Sequence, residues 1–182
     1  MDIVAHGAWT GVGLLWAHRH LPVPRRIAIT TVAMAVLPDL LHLLPSAAWA
    51  LLGDGSWTVL RDYAVALPGQ EPATPPLVEI LTHNLHCVMH SAVVAAVVSL
   101  LAWRMWRRVR LWYVPLLGWW SHIVIDVFTH SADFYPSPVL YPFTQWGFDG
   151  LAWNTPWFMA LNYGLLLLVV AWLVSRRAKQ GR

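Results

Sequence analysis

The sequence is short of charge and of sulfur. Only 12% of its 182 residues are Asp, Glu, Lys or Arg, against roughly 25% in soluble domains, which argues against a water-soluble globule. A single cysteine, Cys87, excludes an internal disulfide and any thiolate-rich zinc or iron–sulfur framework, and it leaves the redox compartment unread. There is no internal repeat or low-complexity tract. The 13 Pro and 11 Gly are scattered without period, which excludes collagen-like and disordered classes. The opening MDIVAHGAWTGVG lacks the basic region of a cleavable signal, so the first apolar run is expected to stay in the mature chain.

What is present is apolar: 58% hydrophobic residues, 13 of them Trp. The expected fold is all-α, a single polytopic membrane bundle of about five helices over 3–17, 27–52, 77–103, 111–130 and 157–175. Crossing a hydrocarbon core of about 30 Å takes about 20 helical residues; the last four runs are long enough and the first is short. Arg19, Arg25 and Arg26 follow the first run, Arg104, Arg107, Arg108 and Arg110 the third, and Arg176, Arg177, Lys179 and Arg182 the fifth. Five crossings put all three clusters on one side, which by the positive-inside rule is cytoplasmic, with the N-terminus outside. That pattern explains the net charge of +3 by membrane loops and not by a nucleic-acid partner.

Two outer connections are long. The first contains WTVLRDYAVAL, which is expected to lie as a short interfacial helix, and the second, 131–156, rich in Pro and aromatics, reads as an ordered loop packed at the headgroup level. Tryptophans near the run ends read as aromatic belts. Pro38, in VLPDLLHLLP, is expected to break the second helix so that a new half begins at Asp39. Gly11 and Gly13 are expected to allow close helix approach.

The chemistry lies in the ionisable residues of the apolar runs. His6, His42, His83, His86, His90, His122 and His130 fall in or at the ends of them, with Asp39, Glu79 and Asp126, whereas such residues cost several kcal/mol in hydrocarbon and are rare there unless functional. The helical rise brings residues of four helices into one layer toward the outer face. Glu79, His83, His86 and His90 span an arc of about 60°, and His122, Asp126 and His130 repeat at i, i+4, i+8. Ligands one turn apart can reach a single ion. Imidazole and carboxylate without thiolate suit zinc, or else manganese or iron. The plainer readings are that His42 and His130 serve as interhelical hydrogen-bond partners, Glu79 is solvated, Cys87 is a small buried hydrophobe, and His18 and His20 are loop residues.

At these residues the chain resembles the YdjM-like, LexA-regulated family of membrane-bound metal-dependent hydrolases. That family opens Met-Asp-x-x-x-His with a following glycine, as MDIVAH does at His6. Its Pro-Asp-x-Asp segment is resembled by LPDLLH with Asp39, the second acid being Leu41 here. Its His-Arg-Gly-x-Thr-His-Ser is partly matched by HNLHCVMHS, with His90 and Ser91 at the end and the first His shifted to His86 or His83. GWWSHIVIDVFTH resembles its His-x-x-x-Asp helix, at His122 and Asp126, and runs into a loop that closes on Pro142-Phe143. The resemblance covers roughly residues 1–145. It implies a metal-dependent hydrolase as a class and not a substrate; with the membrane-buried site near the outer face, the expectation is a bacterial cytoplasmic-membrane enzyme acting on a lipid-like, ester or phosphoester substrate. His6, Asp39, His86, His90, His122 and Asp126 would ligate metal, and Asp126, Asp39 or Glu79 would act as general base. The alternatives are a b-type haem protein, a cation or proton translocator, and a protein with a structural metal.

Overall fold

The computed structural model describes residues 1–66 and 70–180, without the side chains of 64, 65 and 177–180. Arg182, and the side chains of Arg177 and Lys179 in the basic tail, therefore lie outside the described residues. The described residues form seven helices and no strand: α1 (Ile3–Ala17), α2 (Arg25–Leu52), α3 (Trp57–Val65), α4 (Pro76–Met89), α5 (Ala92–Trp106), α6 (Val114–Thr129) and α7 (Pro156–Gln180). The short helix expected in WTVLRDYAVAL is α3.

Two helices, α2 and α7, are long and apolar enough to cross a membrane, and the bent pair α4–α5 makes a third if counted as one span. The first and fourth expected runs form shorter apolar helices, α1 and α6. Leu100, Leu101, Leu167, Leu168 and Val174 are exposed on α5 and α7, as residues turned to lipid would be.

Local sequence accounts for the helix starts. Asp2 caps α1 by accepting the Ala5 amide at 3.0 Å, Ser91 caps α5 through the Val94 amide at 3.1 Å, and Pro76 opens α4, where its missing N–H costs nothing.

The second helix corrects the sequence expectation. It runs unbroken for 28 residues through Pro38 and Pro45, so Asp39 does not begin a new helix. Pro38 is fully buried, and α2 is packed against α1, α3, α4 and α6; neighbours on four sides hold the helix across the missing hydrogen bond. The break falls instead in the third run, where α4 and α5 meet at 63° across His90 and Ser91. Backbone groups freed there are satisfied by other elements. The Trp119 indole donates to Met89 O at 2.7 Å and the Ala92 amide donates to Val139 O at 2.9 Å, while the Ser91 side chain ties the bend to the loop by donating to Tyr141 O at 2.6 Å.

The core gathers at this break: Met89, Ala95, Trp119 and Ile123 form one buried cluster, with Leu37 and Leu41 packed on it. Leu41 thus adds an apolar contact where the resembled family has its second acid. Close approach is supplied by a glycine other than those expected. A Cβ on Gly118 of α6 would lie 2.0 Å from Thr31 O of α2, while Gly11 and Gly13 have nothing within 4 Å.

Candidate metal centre

Two helices and the α4–α5 break deliver four ligand groups to one point. Asp39 comes from the middle of α2, His90 from the break, and His122 and Asp126 from successive turns of α6. One donor atom from each lies within 4.8 Å of all the others. His122 Nε2 is 3.0 Å from Asp126 Oδ2 and 3.6 Å from Asp39 Oδ1; His90 Nε2 is 3.3 Å and 3.6 Å from the same two atoms.

The other ring nitrogen of each imidazole is already committed. His122 Nδ1 donates to Ala35 O on α2 at 2.8 Å, an approach that the bare Gly118 one turn earlier permits. His90 Nδ1 donates to His86 O at 2.8 Å. With both Nδ1 protons spoken for, both Nε2 atoms carry lone pairs, and these face each other at 3.0 Å. As neutral imidazoles, neither can donate to the other or to the two carboxylates. In that state four acceptors converge, and burial makes this costly unless a proton or a metal cation is shared among them. Backbone carbonyls holding imidazoles by Nδ1–H are also what fixes ligand histidines at metal sites.

The centre borders a cavity of about 780 Å³ whose wall includes Asp39, His90, His86, His83 and Glu79. Asp39 is 13% exposed, whereas His122 and Asp126 are fully covered. The cavity therefore reaches the centre from its Asp39–His90 side. All four α4 residues expected on one face, Glu79, His83, His86 and His90, do line it, although only His90 joins the four-atom group.

The remaining candidates stand around that group. His6 is fully buried, with Nε2 at 2.9 Å from Asp126 Oδ1, and its ring stacks on His122 at 3.9 Å. His130, capping α6, has Nε2 at 3.5 Å from the same oxygen. His86 stacks on His90 at 4.2 Å and carries the carbonyl that orients it; His42 meets both edge-on at 5.5 and 6.2 Å. His83 Nε2 lies 3.5 Å from Cys87 Sγ, and Glu79 is exposed on the cavity wall.

No protein-family model, curated protein or solved structure matches this chain.

Two features of the site have no sequence signal. Tyr135, in a left-handed backbone conformation with φ of 46°, accepts the His130 Nδ1 proton on its carbonyl at 2.7 Å and donates its phenol to Glu71. It thereby ties the loop after α6 to the strap before α4, over the cavity that both residues line. Burial first, and then the Glu71 carboxylate, push the Tyr135 phenol well above its ordinary value of 10.0, so it remains a donor through the physiological range. The second is Gly118, one of 11 glycines, distinguished only by the helix that lies against it.

Proposed function

We propose that this protein is a membrane-embedded, divalent-metal-dependent hydrolase whose substrate is a lipid-like ester or phosphoester. The observation that carries the reading is the convergence of His90 Nε2 and His122 Nε2 with two carboxylates, each ring holding a backbone carbonyl through its Nδ1. Two nitrogens and two carboxylate oxygens without thiolate suit zinc, manganese or iron. A divalent ion held there with a coordination number above four would leave a position for water, whose pKa it would lower, to about 7 on zinc. Asp39, whose Oδ2 is buried without a partner, would be the residue placed to accept a proton from such a water, and Glu79 on the cavity wall would be a further acceptor. Asp126 would serve as ligand: its Oδ2 is buried without a hydrogen-bond partner, facing His90 and His122 at 3.3 and 3.0 Å. The sequence resemblance to membrane-bound metal-dependent hydrolases and the exposed apolar flanks support an amphiphilic substrate drawn from the bilayer. The haem alternative is disfavoured because His90 and His122 meet at 3.0 Å with no room for a porphyrin between them.

The test is elemental analysis of detergent-purified protein beside Asp126→Ala and His122→Ala, followed by hydrolysis assays on ester and phosphoester lipids. Near-stoichiometric zinc, manganese or iron in the wild type, lost in both variants together with any hydrolysis, is the expected result. Equal metal content in all three proteins would overturn the assignment. Metal binding with no hydrolysis of any lipid tested would favour a structural metal.

A further inference from the structure

Asp126 is contacted differently on its two oxygens. Oδ2 faces His90 and His122, with Asp39 behind them. Oδ1 faces a second set: His6 Nε2 at 2.9 Å, His130 Nε2 at 3.5 Å, and the Met1 ammonium. His130 repeats the pattern of the first centre. Its Nδ1 proton is given to Tyr135 O, so its Nε2 turns a lone pair toward a carboxylate oxygen, and two acceptors need a cation between them. The structure supplies one: the Met1 ammonium contacts Asp126 Oδ1 and lies 3.2 Å from His130 Nε2. The Oδ1 side is thus a cation position in its own right. His6 and His122 stack with rings 26° from parallel, one reaching each oxygen of the same carboxylate. A third carboxylate stands nearby. Asp2 lines the same cavity as Met1 and His130, and its Oδ2 is buried with no partner.

We infer that Asp126 is a carboxylate bridge between two divalent ions, one held by Asp39, His90 and His122 on Oδ2 and a second held by His6 and His130 on Oδ1. The inference rests on the metal reading of the first centre and extends it. Paired ions about 3.5–4 Å apart are a common arrangement in hydrolytic sites, and a carboxylate whose oxygens serve separate imidazole pairs is the element that spaces them. Charge balance is compatible: Asp2, Asp39 and Asp126 offset three of the four positive charges, so the pair is left attracting an anionic group. The ammonium and the second ion compete for one position, so the second ion binds more weakly than the first.

Manganese is the probe. The purified wild-type chain, stripped and titrated with Mn²⁺, is expected to bind two ions in two steps. At full loading its electron paramagnetic resonance is that of a spin-coupled pair, and at one equivalent that of an isolated ion. His130→Ala and His6→Ala, each checked for an unchanged thermal unfolding profile, should stop at one ion and never show coupling. Asp126→Asn should abolish the coupling whatever its stoichiometry. A wild type that saturates at one ion overturns the bridge while leaving the first centre intact, and a wild type that binds none overturns both. Two ions without coupling, or two still bound in His130→Ala, would place the second ion elsewhere and also overturn the bridge. Should both histidine variants misfold, the wild-type spectrum alone decides.

Discussion

At the scale of single residues, the site is built on proton bookkeeping between ring nitrogens and backbone carbonyls. Ala35, His86 and Tyr135 each accept an Nδ1 proton and so aim an Nε2 lone pair inward. The candidate ligands are visible in the sequence because ionisable residues stand out against an apolar run, but their partners are carbonyls, which every residue possesses. Trp119→Phe tests one such support: it strands the buried Met89 carbonyl next to His90. We expect a loss of about 1–3 kcal/mol, read as a lower unfolding temperature in detergent, together with reduced metal retention. Tyr135→Phe tests another by removing the donor to Glu71, and hydrogen exchange in 70–75 should quicken several-fold at neutral pH. The folded phenol is held above 10.0, so its contribution is complete below that value and is lost as pH rises through the higher folded one. The unfolding-temperature gap between wild type and Tyr135→Phe should therefore stay constant up to about pH 9 and narrow only above about pH 10.

At the scale of elements, the spacing of α2 and α6 decides whether the site exists. Gly118 lets the two backbones meet, and one turn later His122 reaches Ala35 O. Gly118→Ala must part the helices, and overpacking of this kind costs about 1–3 kcal/mol. We expect both a lower unfolding temperature and loss of the metal in that variant. Gly11→Ala and Gly13→Ala have open space around them and should raise stability by up to about 1 kcal/mol each through helix propensity. Equal behaviour of all three variants would contradict this account. The α4–α5 break shows how tertiary partners override a local pattern. An apolar run with no proline at His90–Ser91 bends by 63° there, because the Trp119 indole of α6 and the Val139 carbonyl of the following loop satisfy two freed backbone groups and Ser91 Oγ anchors the bend to Tyr141 O. The same logic, run the other way, keeps α2 helical through Pro38.

At the scale of the whole molecule, the apolar flanks of α5 and α7 and the basic clusters bear on how the protein sits in a bilayer. With Cys87 replaced by Ala, a cysteine at Ser56 should react with a membrane-impermeant maleimide from outside intact cells, and one at Arg108 should react only after lysis. The reverse pattern would move the cavity mouth to the cytoplasmic face and invert the expected orientation.

The sequence alone determined the helical class, the short helix after α2, and the set of imidazoles and carboxylates from which the centre is drawn. Hydropathy and helical period are properties of neighbouring residues, so they survive without a fold. Only the tertiary structure decided which four groups converge, that His86 orients His90 through its carbonyl, that Leu41 belongs to the core, and that the bend lies at His90 and not at Pro38. Each of these depends on which backbone lies alongside, and a single chain read in order carries no record of that.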